Sequence, residues 1–259
     1  MPLLLTLALA IFLNGLAAWG AHRKEAVTGD GAATGFLLGS AIFVGSGLLG
    51  WVMLMWFFGS SSLLSRLSTA RKEEASRMHE KGSRRDSTQV AANGGIAAVA
   101  AIVYGVTGHS AALVAEAAAL AAATADTWAS EIGALSSRRP RSIVSFRSLP
   151  TGTSGGVTLL GTLASLTAGI SVALIFLLGA PGTSSAGAAA GLIALAGFLG
   201  SVVDSILGAT LQAQYAISRG ELTEKSKGNR LIRGFPVVTN DLVNAVSGAL
   251  VAGLAAALV

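Results

Sequence analysis

GAATGFLLGSAIFVGSGLLGWVMLMWFFGSSSLL, residues 31–64, decides how the chain folds. A membrane-crossing helix needs about 20 mostly apolar residues. This run is too long for one crossing and short for two, and Gly45-Ser46-Gly47 divides it. The flanking charges settle the matter. All 18 Lys and Arg fall in four segments. The first holds Arg23 and Lys24; the second holds Arg66, Arg71, Lys72, Arg77, Lys81, Arg84 and Arg85. The third holds Arg138, Arg139, Arg141 and Arg147; the fourth holds Arg219, Lys225, Lys227, Arg230 and Arg233. The breaks at 45–47, 107–109 and 180–185 contain none. Loops rich in Lys and Arg stay cytoplasmic. Basic and non-basic connections must therefore alternate, which requires two crossings within 31–64.

The remaining apolar runs are 3–20, 89–106, 111–135, 156–178, 186–217 and 237–259. The expected fold is an all-α polytopic membrane helix bundle of about eight transmembrane helices with both termini outside. It forms a single transmembrane domain over 1–259. The loop 66–87 is basic and cytoplasmic, and loops 136–153 and 218–236 face the same side and contribute to the site. The first run has no basic residues ahead of it, so it reads as a retained span and not a signal peptide. Gly31, Gly35 and Gly39, like Gly187 and Gly191, repeat at four, a spacing that lets helices pack closely.

Composition supports the bilayer. Hydrophobic residues make up 52% of the chain and charged residues 12%, against about 25% charged in soluble domains. Mean hydropathy is +0.66. Disorder, collagen and disulfide scaffolds are excluded. The chain has no Cys, which removes thiol nucleophiles and Cys-bound zinc. The net charge of +5 suits a membrane surface and not nucleic acid.

Five acids interrupt or end the apolar runs: Glu116, Asp126, Glu131, Asp204 and Asp241. Each costs about 2.5–3.5 kcal/mol at a helix centre. The alternation places Asp126, Ser130 and Glu131 at the cytoplasmic end of one span. It places Asp204, Ser205 and Gln212 at that end of another, and Asn240, Asp241 and Asn244 at the start of the last. Four acids thus share a membrane face, and Glu116 alone is deep. Mg²⁺ takes one or two carboxylates together with substrate phosphates. Asp126, Asp204 and Asp241, helped by Asn240, Asn244 and Glu131, supply such a set. His22, His79 and His109 are scattered, so zinc is not expected.

An anion site is expected on the same face. Thr151-Gly152-Thr153-Ser154-Gly155-Gly156 precedes a span, where glycines and a helix N-terminus favour an anion. Arg138, Arg139, Arg141 and Arg147 lie just before it. A second polar cluster, Arg84, Arg85, Gln89 and Asn93, opens the fourth span. Carboxylates, a glycine-rich loop and arginines at one boundary point to phosphoryl or nucleotidyl transfer onto a lipid phosphate.

The segments RRDSTQVAANGG, ADTWASEIG, PRSIVSF, GTSGGVTLLG, GSVVDSILGATLQ and NDLVN occur in this order. Together they resemble the phytyl-phosphate-kinase-like family of integral membrane proteins, long catalogued as a domain of unknown function. That resemblance implies a Mg²⁺-dependent isoprenyl-phosphate kinase that forms the diphosphate. ADTWASEIG followed by GTSGG is also similar to motifs of CTP-dependent membrane kinases of phytol and dolichol. This implies CTP as the favoured donor, although GTSGG lacks the acid of that second motif. Asp126, Asp204, Asp241 and Arg84 are then the expected catalytic residues. Thr153, Ser154, Gly155 and Gly156 cradle a phosphate. Arg84, Arg85 and Arg141 neutralise nucleotide or lipid phosphate, and Gln89 and Asn93 orient it. The expected partners are an isoprenyl monophosphate, a nucleoside triphosphate and the membrane; a homo-oligomer stays open. The rival reading is a multi-pass lipid or ion transporter or flippase, which accounts better for Glu116.

Overall fold

Leu3–Arg23 (α1) and Gly29–Ser65 (α2) begin the chain in the computed structural model, which describes residues 2–67, 84–180, 185–217 and 222–259. The described helices continue with Ser87–Thr107 (α3), Ser110–Gly133 (α4), Leu159–Gly179 (α5), Ala186–Thr210 (α6) and Asn240–Ala257 (α7). Six of these seven are long and apolar enough to cross a membrane; α4 is the exception. Most of the basic loop 66–87, and residues 218–221 of the loop 218–236, lie outside the described residues.

The 37-residue α2 contains the expected break. Gly47 has φ 71° and ψ −151°, which is not helical, and glycine tolerates that conformation because it has no Cβ. The two halves fold back on each other. A Cβ placed on Gly39 would lie 3.5 Å from Leu54, a pair that a straight helix would hold about 22 Å apart. Arg66 Nη2 also donates to the Lys24 carbonyl at 3.1 Å, which ties the end of α2 to the turn that precedes its start.

The central element is α4. Ala117 to Ala122 are all at most 3% exposed, and the helix packs against α2, α3, α5, α6 and α7. In lipid no hydrophobic force drives helices together, so small side chains that allow close van der Waals contact do so instead. Alanine supplies this for α4. Glycine supplies it elsewhere, where Gly45 meets the Ala101 main chain and Gly105, and where Gly169 meets Gly197. The repeat at Gly187 and Gly191 packs against nothing, because a Cβ at either has open space around it. Apolar side chains face outward from the bundle, as a lipid-facing surface requires: Leu4 is 82% exposed, Phe12 66% and Leu163 53%. The protein is a multi-pass integral membrane helix bundle.

The connections depart from pure helix. Arg141–Ser142 (β1) pairs antiparallel with Gly156–Val157 (β2). Gln214–Ala216 (β3) pairs with both Leu222–Thr223 (β4) and Arg230–Arg233 (β5). The run beginning at Gly156 therefore turns helical only at Leu159, where Thr158 caps the Gly161 N–H at 3.0 Å. Thr239 caps α7 in the same way, and α3 opens on a full capping box between Asp86 and Gln89. Such caps satisfy N–H groups that have no partner within the helix. Asp30 does not cap its own helix, a role taken by Thr28; its Oδ2 accepts the Ser87 N–H at the head of α3.

Candidate active site

One end of the bundle gathers the polar segments. The ends of α2 and α4 meet where Ser65 Oγ donates to Glu131 Oε1 at 2.5 Å. The heads of α3 and α7 meet where Thr88 Oγ1 donates to Asp241 Oδ2 at 3.0 Å. The glycine loop meets the end of α6, with Gly155 against Ala209. A cavity of about 1250 Å³ lies among these elements.

Asp126 and Asp204 face this cavity from α4 and α6. Asp204 is buried, and its Oδ2 accepts the Ser247 hydroxyl at 3.3 Å. The charges of Asp126 and Glu224 both reach it. Among the described residues Asp126 forms no hydrogen bond or ion pair, and no Lys or Arg pairs with either aspartate. Asp126 is half-buried and Asp204 buried; carboxylates withdrawn from water without a basic partner are costly, a cost that an added cation would offset. Asn244 also lines the cavity, and its Oδ1 is buried with no hydrogen-bond partner among the described residues. No three His, Cys, Asp or Glu side chains among the described residues are placed to hold a metal by themselves.

The other expected residues divide as follows. Ser130, Glu131, Ser205, Gln212, Asn240 and Asp241 line the cavity, although Glu131 and Asp241 are already bonded to hydroxyls. Thr153, Ser154, Gly155 and Gly156 line it from the glycine loop, and Arg85, Gln89 and Asn93 from α3 and its approach. Gln89 also serves the capping box through Oε1, and Asn93 Nδ2 donates to the Gln89 carbonyl at 2.9 Å. Arg84 and Arg141 stand outside the lining. Arg84 Nη2 reaches the Val27 carbonyl at 3.3 Å, and Arg141 is an exposed strand residue paired with Val157. The shared charge of their segments gave no sign of which arginine turns inward.

Arg85 turns inward. Its guanidinium sits 5.8 Å from the Phe57 ring and 5.6 Å from Phe58, and its Nη1 is buried with no hydrogen-bond partner among the described residues. Burial lowers its pKa from the ordinary arginine value, and the Glu131 charge opposes that shift. Arginine is charged throughout the physiological range, so Arg85 offers the cavity a fixed cation with a spare donor.

Two further residues join this site that their place in the sequence did not single out. Glu224 Oε1 accepts Ser154 Oγ at 2.6 Å and Gln212 Nε2 at 2.8 Å. Arg233 Nη2 donates to the Gly208 carbonyl at 3.1 Å and the Ser154 carbonyl at 3.4 Å, clamping the glycine loop to α6. Burial lowers the Arg233 pKa. An acid within a basic loop is a weak signal, and Glu221 carries it equally.

Glu116 lies elsewhere. It is fully buried, outside the cavity lining, with Oε1 2.8 Å from the Ser46 hydroxyl. Its Oε2 has no hydrogen-bond partner among the described residues. Gly50 leaves the room the carboxyl fills. Glu116→Gln, which keeps this shape, is expected to preserve both the fold and turnover by the cavity. Turnover in the purified variant checks this; abolition in a folded protein would make the Glu116 carboxylate part of the activity.

Residues 12–252 match the family described as integral membrane protein DUF92. Protein PGR of Arabidopsis thaliana is 32% identical over 275 residues, covering 93% of this chain and 92% of the relative. An uncharacterized membrane protein of Methanocaldococcus jannaschii is 29% identical, covering 82% of this chain and 86% of its own. One from a Synechocystis strain is 27% identical, with 98% and 90% covered. No solved structure matches the chain.

Proposed function

The chain belongs to the DUF92 family of integral membrane proteins, and we propose that it is a Mg²⁺-dependent phosphotransferase. It moves a phosphoryl group from a nucleoside triphosphate, CTP favoured, to an isoprenyl monophosphate and yields the diphosphate. The observation that carries this reading is the single cavity shared by Asp126, Asp204 and the glycine loop 151–156. Asp126 and Asp204 would hold the cation, with Asn244 beside them. When bound, it supplies charge neutralisation for the transferring phosphoryl group. The Ser154 hydroxyl and the Gln212 amide position phosphate oxygens, and Arg85 offsets the negative charge across the cavity. No strong base is needed, because a phosphate monoester with a second pKa near 6 is already ionised at neutral pH. Positioning and electrostatics carry most phosphoryl transfers.

The same reading assigns the topology. Residues 29–46 and 48–65 of α2 each cross the bilayer, giving eight crossings with α1 and α3 to α7. An 18-residue helix spans about 27 Å, close to the roughly 30 Å hydrocarbon thickness. Both termini then lie outside, and the cavity opens to the cytoplasm beside the basic segments. In this Cys-free chain, Thr107→Cys and Ser145→Cys are expected to label with impermeant maleimide from opposite sides of sealed vesicles. Labelling of both from one side contradicts the assignment.

The test of function is a screen of purified protein with isoprenyl monophosphates of several lengths against CTP, ATP, GTP and UTP. The expected product is the isoprenyl diphosphate, formed with Mg²⁺ and lost with EDTA. No product from any pair, with protein shown to be folded, defeats the proposal.

A further inference from the structure

The glycine loop, the end of α6 and the β3–β5 sheet converge on one carboxylate oxygen. Ser154 and Gln212 come from separate elements, yet both donate to Glu224 Oε1, at 2.6 and 2.8 Å. Gln212 is 2% exposed, so its amide is fixed by packing and is not a surface group that happens to meet an acid. Gly152 and Gly155 have φ of 86° and 79°, which curls the loop around Ser154, and Arg233 holds the Ser154 carbonyl from behind. Two donors aimed at one oxygen form a built anion hole. The protein's own carboxylate fills it.

A carboxylate oxygen and a phosphoryl oxygen accept the same charge-assisted hydrogen bonds. We propose that the Ser154–Gln212 hole seats an oxygen of a phosphate or pyrophosphate group, and that Glu224 stands in for this oxygen until the ligand enters. The inference deepens the phosphotransferase reading and rests on it for the identity of the natural ligand. Glu224 also places a charge within reach of Asp204. The stand-in also makes binding competitive, since a hole filled nine-tenths of the time weakens apparent affinity about tenfold.

The experiment titrates inorganic pyrophosphate into full-length purified protein in EDTA, reading affinity by calorimetry or by the shift in unfolding temperature. Glu224→Ala vacates the hole. Glu224→Asp keeps the negative charge but is one methylene too short to fill it, and as the milder change it safeguards against loss of fold. Both are expected to bind pyrophosphate about tenfold tighter than wild type, and Ser154→Ala added to Glu224→Ala is expected to cancel the gain. Tightening in Glu224→Ala alone would mean only that a repelling charge was removed, and overturns the stand-in. Weaker, unchanged or undetectable binding in both variants overturns it as well. Turnover is not the readout. A wild type inactive on every isoprenyl phosphate defeats the phosphotransferase reading, while the pyrophosphate comparison still decides the role of Glu224.

Discussion

Asp126→Asn and Asp204→Asn are each expected to lower kcat by on the order of 10²–10³-fold, the effect of removing one preorganised charge-stabilising group. If the two carboxylates serve one cation, the double variant falls little further than either single one, because groups acting as a unit are non-additive. Stability should move the other way. Asp126 has no hydrogen bond to lose among the described residues, and Asn at 204 retains an oxygen for the Ser247 hydroxyl. Each substitution removes a carboxylate that the fold leaves without a basic partner, which relieves a desolvation cost. Unfolding temperatures equal to or above wild type, with activity lost, are the expected combination. Full activity in both variants would contradict the assignment; lost activity with a collapsed unfolding temperature would make the aspartates structural.

Gly155→Ala is the second large effect. Gly155 has φ 79°, and a Cβ there would fall on the Ala209 main chain. Left-handed backbone costs a non-glycine residue about 1–2 kcal/mol, and overpacking against a helix backbone about 1–3 kcal/mol. The combined destabilisation is roughly 2–5 kcal/mol, concentrated in the loop that presents Ser154, so phosphate binding should be lost with it. Gly187→Ala is the control. That glycine is helical with open space around it, and alanine there is expected to be neutral or to stabilise by about 0.5–1 kcal/mol. Comparable damage from both, measured by thermal unfolding in detergent, would contradict the packing described for the loop.

Much of this architecture is legible before any coordinates. The bilayer follows from composition, and the placement of 18 basic residues in four segments identifies the end of the bundle where the motifs belong. The doubling back at Gly47 is also readable, because its run is too long for one helix and Gly-Ser-Gly is a weak point within it. The convergence of Asp126 and Asp204 follows from the alternation of loops alone. What escapes has a common physical cause. Glu224, Arg233 and the inward turn of Arg85 depend on tertiary contacts made by irregular segments, which have no periodicity to betray a face. The short strands β1 to β5 are two to four residues long, too short for an alternating pattern to register. Asp241 illustrates the limit from the other side. It shares the cavity with Asp126 and Asp204, as its place at the head of α7 implied, but Thr88 already donates to it, a pairing 153 residues apart that no spacing encodes.

Mn²⁺ titration followed by electron paramagnetic resonance probes the divalent-cation site that aspartates on two helices would form. Wild-type protein is expected to bind one Mn²⁺ that Mg²⁺ displaces, with binding sharply weakened in both Asp126→Asn and Asp204→Asn and unaltered in Glu116→Gln. Equal Mn²⁺ affinity in wild type and both aspartate variants would contradict the account.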